Sequence, residues 1–228
     1  MGASLPALST MAQGVPSRYL GVWRRTLLRT PERTDTTSWV HWLQTEHWHG
    51  DLRVPAYGSR RLVQGFGGQT TVARPQPTEP EVCTWHRRID LEPPRPTPDE
   101  GHMVFEGSER VIETGIHGPY LEVWERVPES IGPTLALARG PEHAPELFLV
   151  AGHCAMHLRP AERRAHLRIA YGMLDGGHWN ITRATHVEWE GQRLACAWRA
   201  EGEGFVLEGH RDLAGWWRRA GGGQDRSG

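Results

Sequence analysis

Residues 37–55 read "TSWVHWLQTEHWHGDLRVP", and nearly every second position is apolar. That period of two belongs to a β-strand, because successive side chains leave a pleated backbone on opposite faces. Taken as one alternating segment, Val40, Trp42, Trp48, Leu52 and Val54 share one face, while His41, His47, His49, Asp51 and Arg53 share the other. Two arrangements fit. The apolar face can be the core and the polar face can meet water, as is ordinary in antiparallel sheets. Alternatively, the polar face lines the lumen of a barrel and the apolar face packs against a second domain.

The same alternation recurs along the chain, in "YLGVWRRTLL", "EVCTWHRRIDL", "HMVFEGSERVIETG", "PYLEVWERV", "LFLVAGHCAMHLR", "RAHLRIAYGML" and "RLACAWRAEGEG" among others, and predicts about ten strands. Stretches such as "LDGG" and "EGEG" supply the Gly and Asp of tight hairpins, and Gly65–Gly68 in "GFGG" reads as a further turn. Helical spacing is confined to "PAERRAH" at 160–166 and "HRDLAGWWRRA" at 210–220. The expected class is all-β, built of antiparallel barrels with few short helices. The Pro- and Gly-punctuated stretch after residue 127 divides the chain. We expect a disordered start at 1–17, a barrel domain at 18–129, a linker at 130–146, a second barrel domain at 147–219 and a disordered tail at 220–228.

Composition removes several classes of function. The chain has 228 residues and a formal net charge of -1, which gives no long-range field toward nucleic acid or an anionic membrane. All 26 basic residues are arginine, so lysine Schiff-base and lysine-base chemistry is out of reach. Cys83, Cys154 and Cys196 are too widely spaced for a zinc knuckle and fit a reducing compartment, so a cytoplasmic location is expected. Neither a leader nor a membrane span is expected, and no nucleophile elbow or phosphate loop is present. Eleven tryptophans on strands suggest a lined cavity or a thick core.

The "LGVW" stretch, Leu20–Trp23, resembles the Gly-x-Trp opening strand of lipocalin-type calycin barrels, in which the Trp closes the barrel bottom. A longer likeness joins residues 38–55 to "ERVIETGIHGPYLEVWERVP" at 109–128. In order and spacing the two resemble a small fungal family of double calycin β-barrels with no settled activity, together with uncharacterised bacterial relatives. The resemblance implies two packed barrels and no particular reaction, because such barrels host unrelated functions. The histidines of the opening stretch and of "AGHCAMH" have no counterpart in that likeness.

Chemistry must therefore be argued from the residues. "PYLEVWER" places Tyr120, Glu122 and Trp124 on one face, a hydroxyl, an acid and a flat apolar wall, which is the make-up of a selective small-molecule pocket. If Asp51, Arg53, Glu113 and Glu122 point inward, an Arg–carboxylate pair satisfies two of them. The remaining carboxylate, desolvated beside another acid, gains a raised pKa and can move a proton near neutral pH. Glu113 is the first candidate because Gly115 marks a close backbone approach, and Asp51 is the second. The alternative for Glu113 is a surface salt bridge to Arg110 or Arg126. Arg53 and Tyr120 would orient or polarise an oxygen, and Glu122, Gln44, Trp42, Trp85 and Trp124 would complete the binding site.

The leading expectation is a protein that binds a small, partly apolar organic molecule. Lyase, hydratase or isomerase chemistry would need no cofactor. A metal- or haem-dependent oxidoreductase is the enzyme alternative: His47 and His49 form an HxH, and His153 and His157 share parity. Against a cupin-type site, "HWHGDLRVP" supplies Asp51 where a glutamate should follow, and "DGGHWN" offers only His178. No metal is assigned. A non-catalytic binding module is the third reading, and a homodimer is compatible with all three.

Overall fold

The computed structural model describes residues 13–221 apart from 59–61, 75, 162, 164 and 165. Seventeen strands appear among them: β1 (Gly21–Arg29), β2 (Thr34–Asp35), β3 (Trp39–Gln44), β4 (Trp48–Val54), β5 (Gln64–Ala73), β6 (Glu81–Asp90), β7 (Glu100–Phe105), β8 (Arg110–Gly115), β9 (Leu121–Arg126), β10 (Thr134–Arg139), β11 (Glu146–Ala151), β12 (Cys154–Arg159), β13 (Arg168–Asp175), β14 (His178–Ala184), β15 (Arg193–Glu201), β16 (Gly204–Gly209) and β17 (Gly215–Arg219). All pairings are antiparallel. Strands β1 and β3–β9 close into one eight-stranded barrel through β1–β9, with the short β2 on its edge, and β10–β17 close into another. Among the described residues helical structure is limited to short 3-10 turns such as Ser17–Tyr19, and 162, 164 and 165 of the expected helix at 160–166 lie outside them. No helix among the described residues is long and apolar enough to cross a membrane.

Three local readings are corrected. The segment 210–220 is a turn followed by β17, in which Trp217 is buried and Trp216 is half exposed, so its period is two. Gly65–Gly68 lie within β5, not in a turn. Their smallness serves packing: a Cβ at Gly65 would meet Ile169 Cδ1 at 2.8 Å, one at Gly67 would meet Leu158 Cδ2 at 2.4 Å, and the register slips between Gly67 and Gly68. The stretch expected to connect the halves contributes β10, whose Leu137 is fully buried. Of the first 17 residues, 13–17 are described, and Val15 is buried with its amide donating to the Glu46 carbonyl. The rest of that end and residues 222–228 lie outside the described residues.

The barrels meet through a shared core. Leu43, Trp48, Leu52 and Val54 of β3 and β4 pack with Leu147, Leu149, Met156, Leu158 and Ile169 of β11–β13. Each such buried side chain stabilises the contact by about 1.5–3 kcal/mol through removal of apolar area from water.

One closing device occurs twice. Trp23 donates from Nε1 to the Tyr19 carbonyl at 2.8 Å, and the Arg126 guanidinium lies 4.3 Å over its ring. Arg126 also donates to the carbonyls of Leu20 and Arg18. In the second barrel Trp217 donates to the Leu213 carbonyl at 2.8 Å, beneath Arg139 at 4.3 Å, which donates to the carbonyls of Asp212 and Ala214. In both places a glycine with φ of +120° precedes the Trp by two residues, Gly21 and Gly215, a backbone region that disfavours any side chain.

Candidate functional site

The lumen of the first barrel decides the orientation of the opening stretch. In the β3–β4 register Val40 opposes Arg53, Trp42 opposes Asp51 and Gln44 opposes His49. Directly opposed residues share a face. Val40 and Trp42 therefore line the lumen with the polar residues of β4, and His41 turns to the second barrel, stacked 4.0 Å from Trp39. The expectation that Val40 and Trp42 share a face with Leu52 and Val54 is overturned. The cause is the turn at Thr45–His47, which breaks the strand in two and shifts the parity; Leu52 and Val54 pack on the second barrel.

The lumen opens into a cleft of about 550 Å³. Its rim is mixed, with Leu28, Pro55, Leu62, Val63 and Leu91 beside Arg33, Gln64, Glu92 and Arg95; Arg25, Arg53, Arg87, Asp99, Glu113, Tyr120 and Glu122 complete the lining. Beyond them a chamber of about 20 Å³ is walled by Trp42, Asp51, Arg53, Phe66, Trp85, Asp99, Glu113 and Trp124. Edge-to-face contacts lock this aromatic floor, with Trp42 at 5.5 Å from Trp85 and 5.9 Å from Trp124.

Arginines balance the buried acids one by one. Arg53 grips Asp51 with Nε to Oδ1 at 2.7 Å and Nη2 to Oδ2 at 3.2 Å. Arg25 bridges Glu122 at 2.6 Å and Asp35 at 3.1 Å. Arg87 donates twice to Asp99, at 2.8 and 2.6 Å, and stacks 3.4 Å over Phe66. Burial would lower the pKa of Arg53, but Asp51 and Glu122 outweigh it and hold the guanidinium charged.

Glu113 is the exception, a buried carboxyl that no arginine among the described residues bridges. Its Oε1 accepts from the Tyr120 hydroxyl at 2.7 Å and its Oε2 from Trp124 Nε1 at 3.0 Å. On the neighbouring strand Glu122 stands directly opposite. Burial, reinforced by the Glu122 charge, lifts the Glu113 carboxyl to about 8, against the lowering pull of the Tyr120 hydrogen bond and Arg53. Burial and the nearby Glu113 push the Tyr120 phenol upward, so it stays a donor. The surface salt bridge does not form: Arg110 pairs with Glu106, and Arg126 is committed to backbone carbonyls. A Cβ at Gly115 would sit 2.5 Å from the Tyr120 ring, and one at Gly101 would sit 2.8 Å from Glu113 Cγ; these two glycines leave room for the pair.

The residues expected to carry catalysis and ligand binding converge on this lumen. Asp51, Glu113, Arg53, Trp42, Trp85 and Trp124 wall the chamber and Tyr120 and Glu122 wall the cleft, whereas Gln44 lines neither and is fully buried beside Trp42. Gln44 Oε1 accepts from Trp42 Nε1 at 3.1 Å and from Thr70 at 2.9 Å, while Thr70 also meets His49 Nδ1 at 3.0 Å. Arg25, Arg87, Asp99 and Phe66 were missed. The alternation of Trp23 with Arg25 in "GVWRR" was the available signal for the first.

The histidine pairs are separated. His47 lies in the turn before β4, whereas His49 is fully buried, and burial beside Arg87 pushes its pKa well down. His153 is exposed, whereas His157 sits in the second lumen with Nε2 at 2.7 Å from Glu146 Oε1, among Phe148, Trp179 and Trp217. Among the described residues no three His, Cys, Asp or Glu side chains are grouped to hold a metal. That second lumen is filled by side chains, including Leu137, Phe148, Trp179, Leu207 and Trp217.

No protein-family model matches the chain, and no curated protein matches it. Among solved structures it is similar to an uncharacterized protein, YLR301w, from Saccharomyces cerevisiae, with a TM-score of 0.66 over 87% of this chain and 97% of that one, at 13% identity. At that identity the likeness concerns the fold alone.

Proposed function

We propose that the first barrel encloses a small, partly apolar organic molecule and that Glu113 moves a proton on it in a lyase, hydratase or isomerase step that needs no cofactor. The observation that carries this reading is the Glu113 carboxyl, unbridged by arginine, held by Tyr120 and Trp124 and facing a cleft of about 550 Å³. A carboxyl near 8 is protonated for the most part at neutral pH yet ionises readily, as proton transfer in both directions requires. In this reading Arg53 and Tyr120 orient the ligand's oxygen, Asp51 fixes Arg53 or shares the proton transfer, and Trp42, Trp85 and Trp124 are the walls. The calycin assignment belongs to the same proposal, supported by the Trp23–Arg126 closure following Gly21.

The test is native mass spectrometry of freshly purified protein for a co-purifying small molecule, followed by turnover of that molecule by the wild type and by E113Q. Loss of turnover with retained binding is expected. Full turnover in E113Q would remove Glu113 from its role. The pairing of every other buried lumen acid with arginine favours, as a second reading, a barrel that only holds its ligand; it predicts ligand-induced stabilisation with no chemical change.

A further inference from the structure

Cleft and chamber are contiguous, and Glu113 is built into the wall between them. Tyr120, which donates to Oε1, lines the cleft but not the chamber; Trp124, which donates to Oε2, lines the chamber but not the cleft. Glu113 lines both compartments, and each of its carboxyl oxygens is bonded to a donor from a different one. The chamber's volume of about 20 Å³ suits a single water, which needs about 10–15 Å³ and two to four polar partners. Asp51, Arg53, Asp99 and Glu113 are there to provide them. Arg53 spends two of its five N–H donors on Asp51 and faces both compartments, so donors remain for a ligand oxygen.

We infer that the chamber holds one reactive water and that the reaction of this barrel is addition of water to, or its elimination from, an activated double bond. The inference rests on the reading of Glu113 as the proton-transfer group. In the forward direction the water oxygen forms the new C–O bond at the β-carbon of an α,β-unsaturated carbonyl compound. The double-bond electrons move to the carbonyl oxygen, held by Arg53, and the water proton passes to Glu113 Oε2. Glu113 then protonates the α-carbon, the enolate returns to the carbonyl, and the carboxylate is restored. The reverse sequence expels water into the chamber. The aliphatic side of the cleft, Leu28, Pro55, Leu62, Val63 and Leu91, favours a substrate with an apolar body beside its carbonyl.

The full chain is incubated with benzylideneacetone, an aromatic enone, in water enriched in heavy oxygen. Expected are a benzylic hydroxyketone carrying the heavy oxygen, predominantly one enantiomer, at a rate about 100-fold lower in E113Q, and a high-resolution crystal structure with one water between Asp51 and Glu113. An empty chamber, or a racemic product formed equally without protein, overturns the inference. A parallel incubation in deuterated water separates the two readings. Deuterium at the acidic methyl beside the carbonyl, faster than without protein and with no heavy oxygen at the benzylic carbon, would sink the water step and keep Glu113 as an acid–base group. Binding, seen as a raised unfolding temperature, with neither label incorporated above the protein-free control would sink both steps and leave a binding barrel. Absence of binding would overturn the cleft reading itself.

Discussion

The E113Q substitution has a consequence that requires no knowledge of the ligand. In the unfolded chain this carboxyl titrates near its ordinary value of 4.5; in the folded chain it titrates at about 8. Between those values the native state holds a proton that the unfolded state has lost, so stability falls as pH rises. The group's contribution is full below about pH 4.5 and gone above about pH 8. Every pH unit between the two values corresponds to about 1.4 kcal/mol, so the whole window is worth on the order of 5 kcal/mol, spread more broadly because Glu113 and Glu122 titrate as a pair. Glutamine is neutral throughout. Its carbonyl can accept from Trp124, and its amide can donate to a rotated Tyr120 hydroxyl, at a cost of about 1 kcal/mol. E113Q is therefore expected to be slightly less stable than the wild type near pH 5 and more stable near pH 8. Urea unfolding of both proteins across that range measures the difference directly. A difference that stays constant with pH would refute the reasoning: the two donated hydrogen bonds would then outweigh burial, and Glu113 would be ionised in the native protein.

Other perturbations test the surrounding network. R25M leaves Glu122 and Asp35 without their shared cation and should cost about 3–5 kcal/mol in denaturant unfolding, while R25M combined with E122Q should recover part of that loss. G67A forces a Cβ to within 2.4 Å of Leu158 and 2.9 Å of the His49 carbonyl; a loss of about 1–3 kcal/mol is expected. G118A, with nothing within 4 Å, should stay within about 0.5 kcal/mol of the wild type. Adding L158A to G67A should relieve part of the clash, so the two costs should sum to more than the double variant shows.

Much of this architecture was legible in the period of two, including the class and the sharing of one face by Tyr120, Glu122 and Trp124; the direction of that face was left open, because periodicity fixes parity and not which side is the lumen. Errors arose where a local signal had two physical causes. Glycine signals a turn and also a close approach; at Gly65 and Gly67 the second cause operates, set by Leu158 and Ile169 more than 90 residues away. The "GWW" of β17 carries the same Gly-x-Trp device as "GVW" of β1, but a preceding Arg–Asp–Leu made it resemble a helix. Asp99 could not be found from spacing at all, because it arrives from a loop after four prolines and is placed by Arg87.

Alternation along β4 lets one short strand carry charges inward and aliphatic groups outward, with Asp51 and Leu52 both buried. Asp51 and Arg53 face the lumen on β4, while Leu52 and Val54, one residue on, are covered by the second barrel. An isolated barrel would leave that outer face as an apolar patch. The second barrel, its own lumen filled by Phe148, Trp179 and Trp217, supplies a close-packed support for it. Gly50, between His49 and Asp51, allows Met156 and Leu158 to approach the backbone of β4 itself. The wall bearing Asp51 is thereby held from behind by residues that never touch the cleft. A cavity cut into that support, as by M156A, should loosen the Asp51–Arg53 pair as well as lower global stability. Hydrogen exchange at the amides of β4 would report this, and protection unchanged there despite a lowered unfolding midpoint would show that the first barrel holds its own wall.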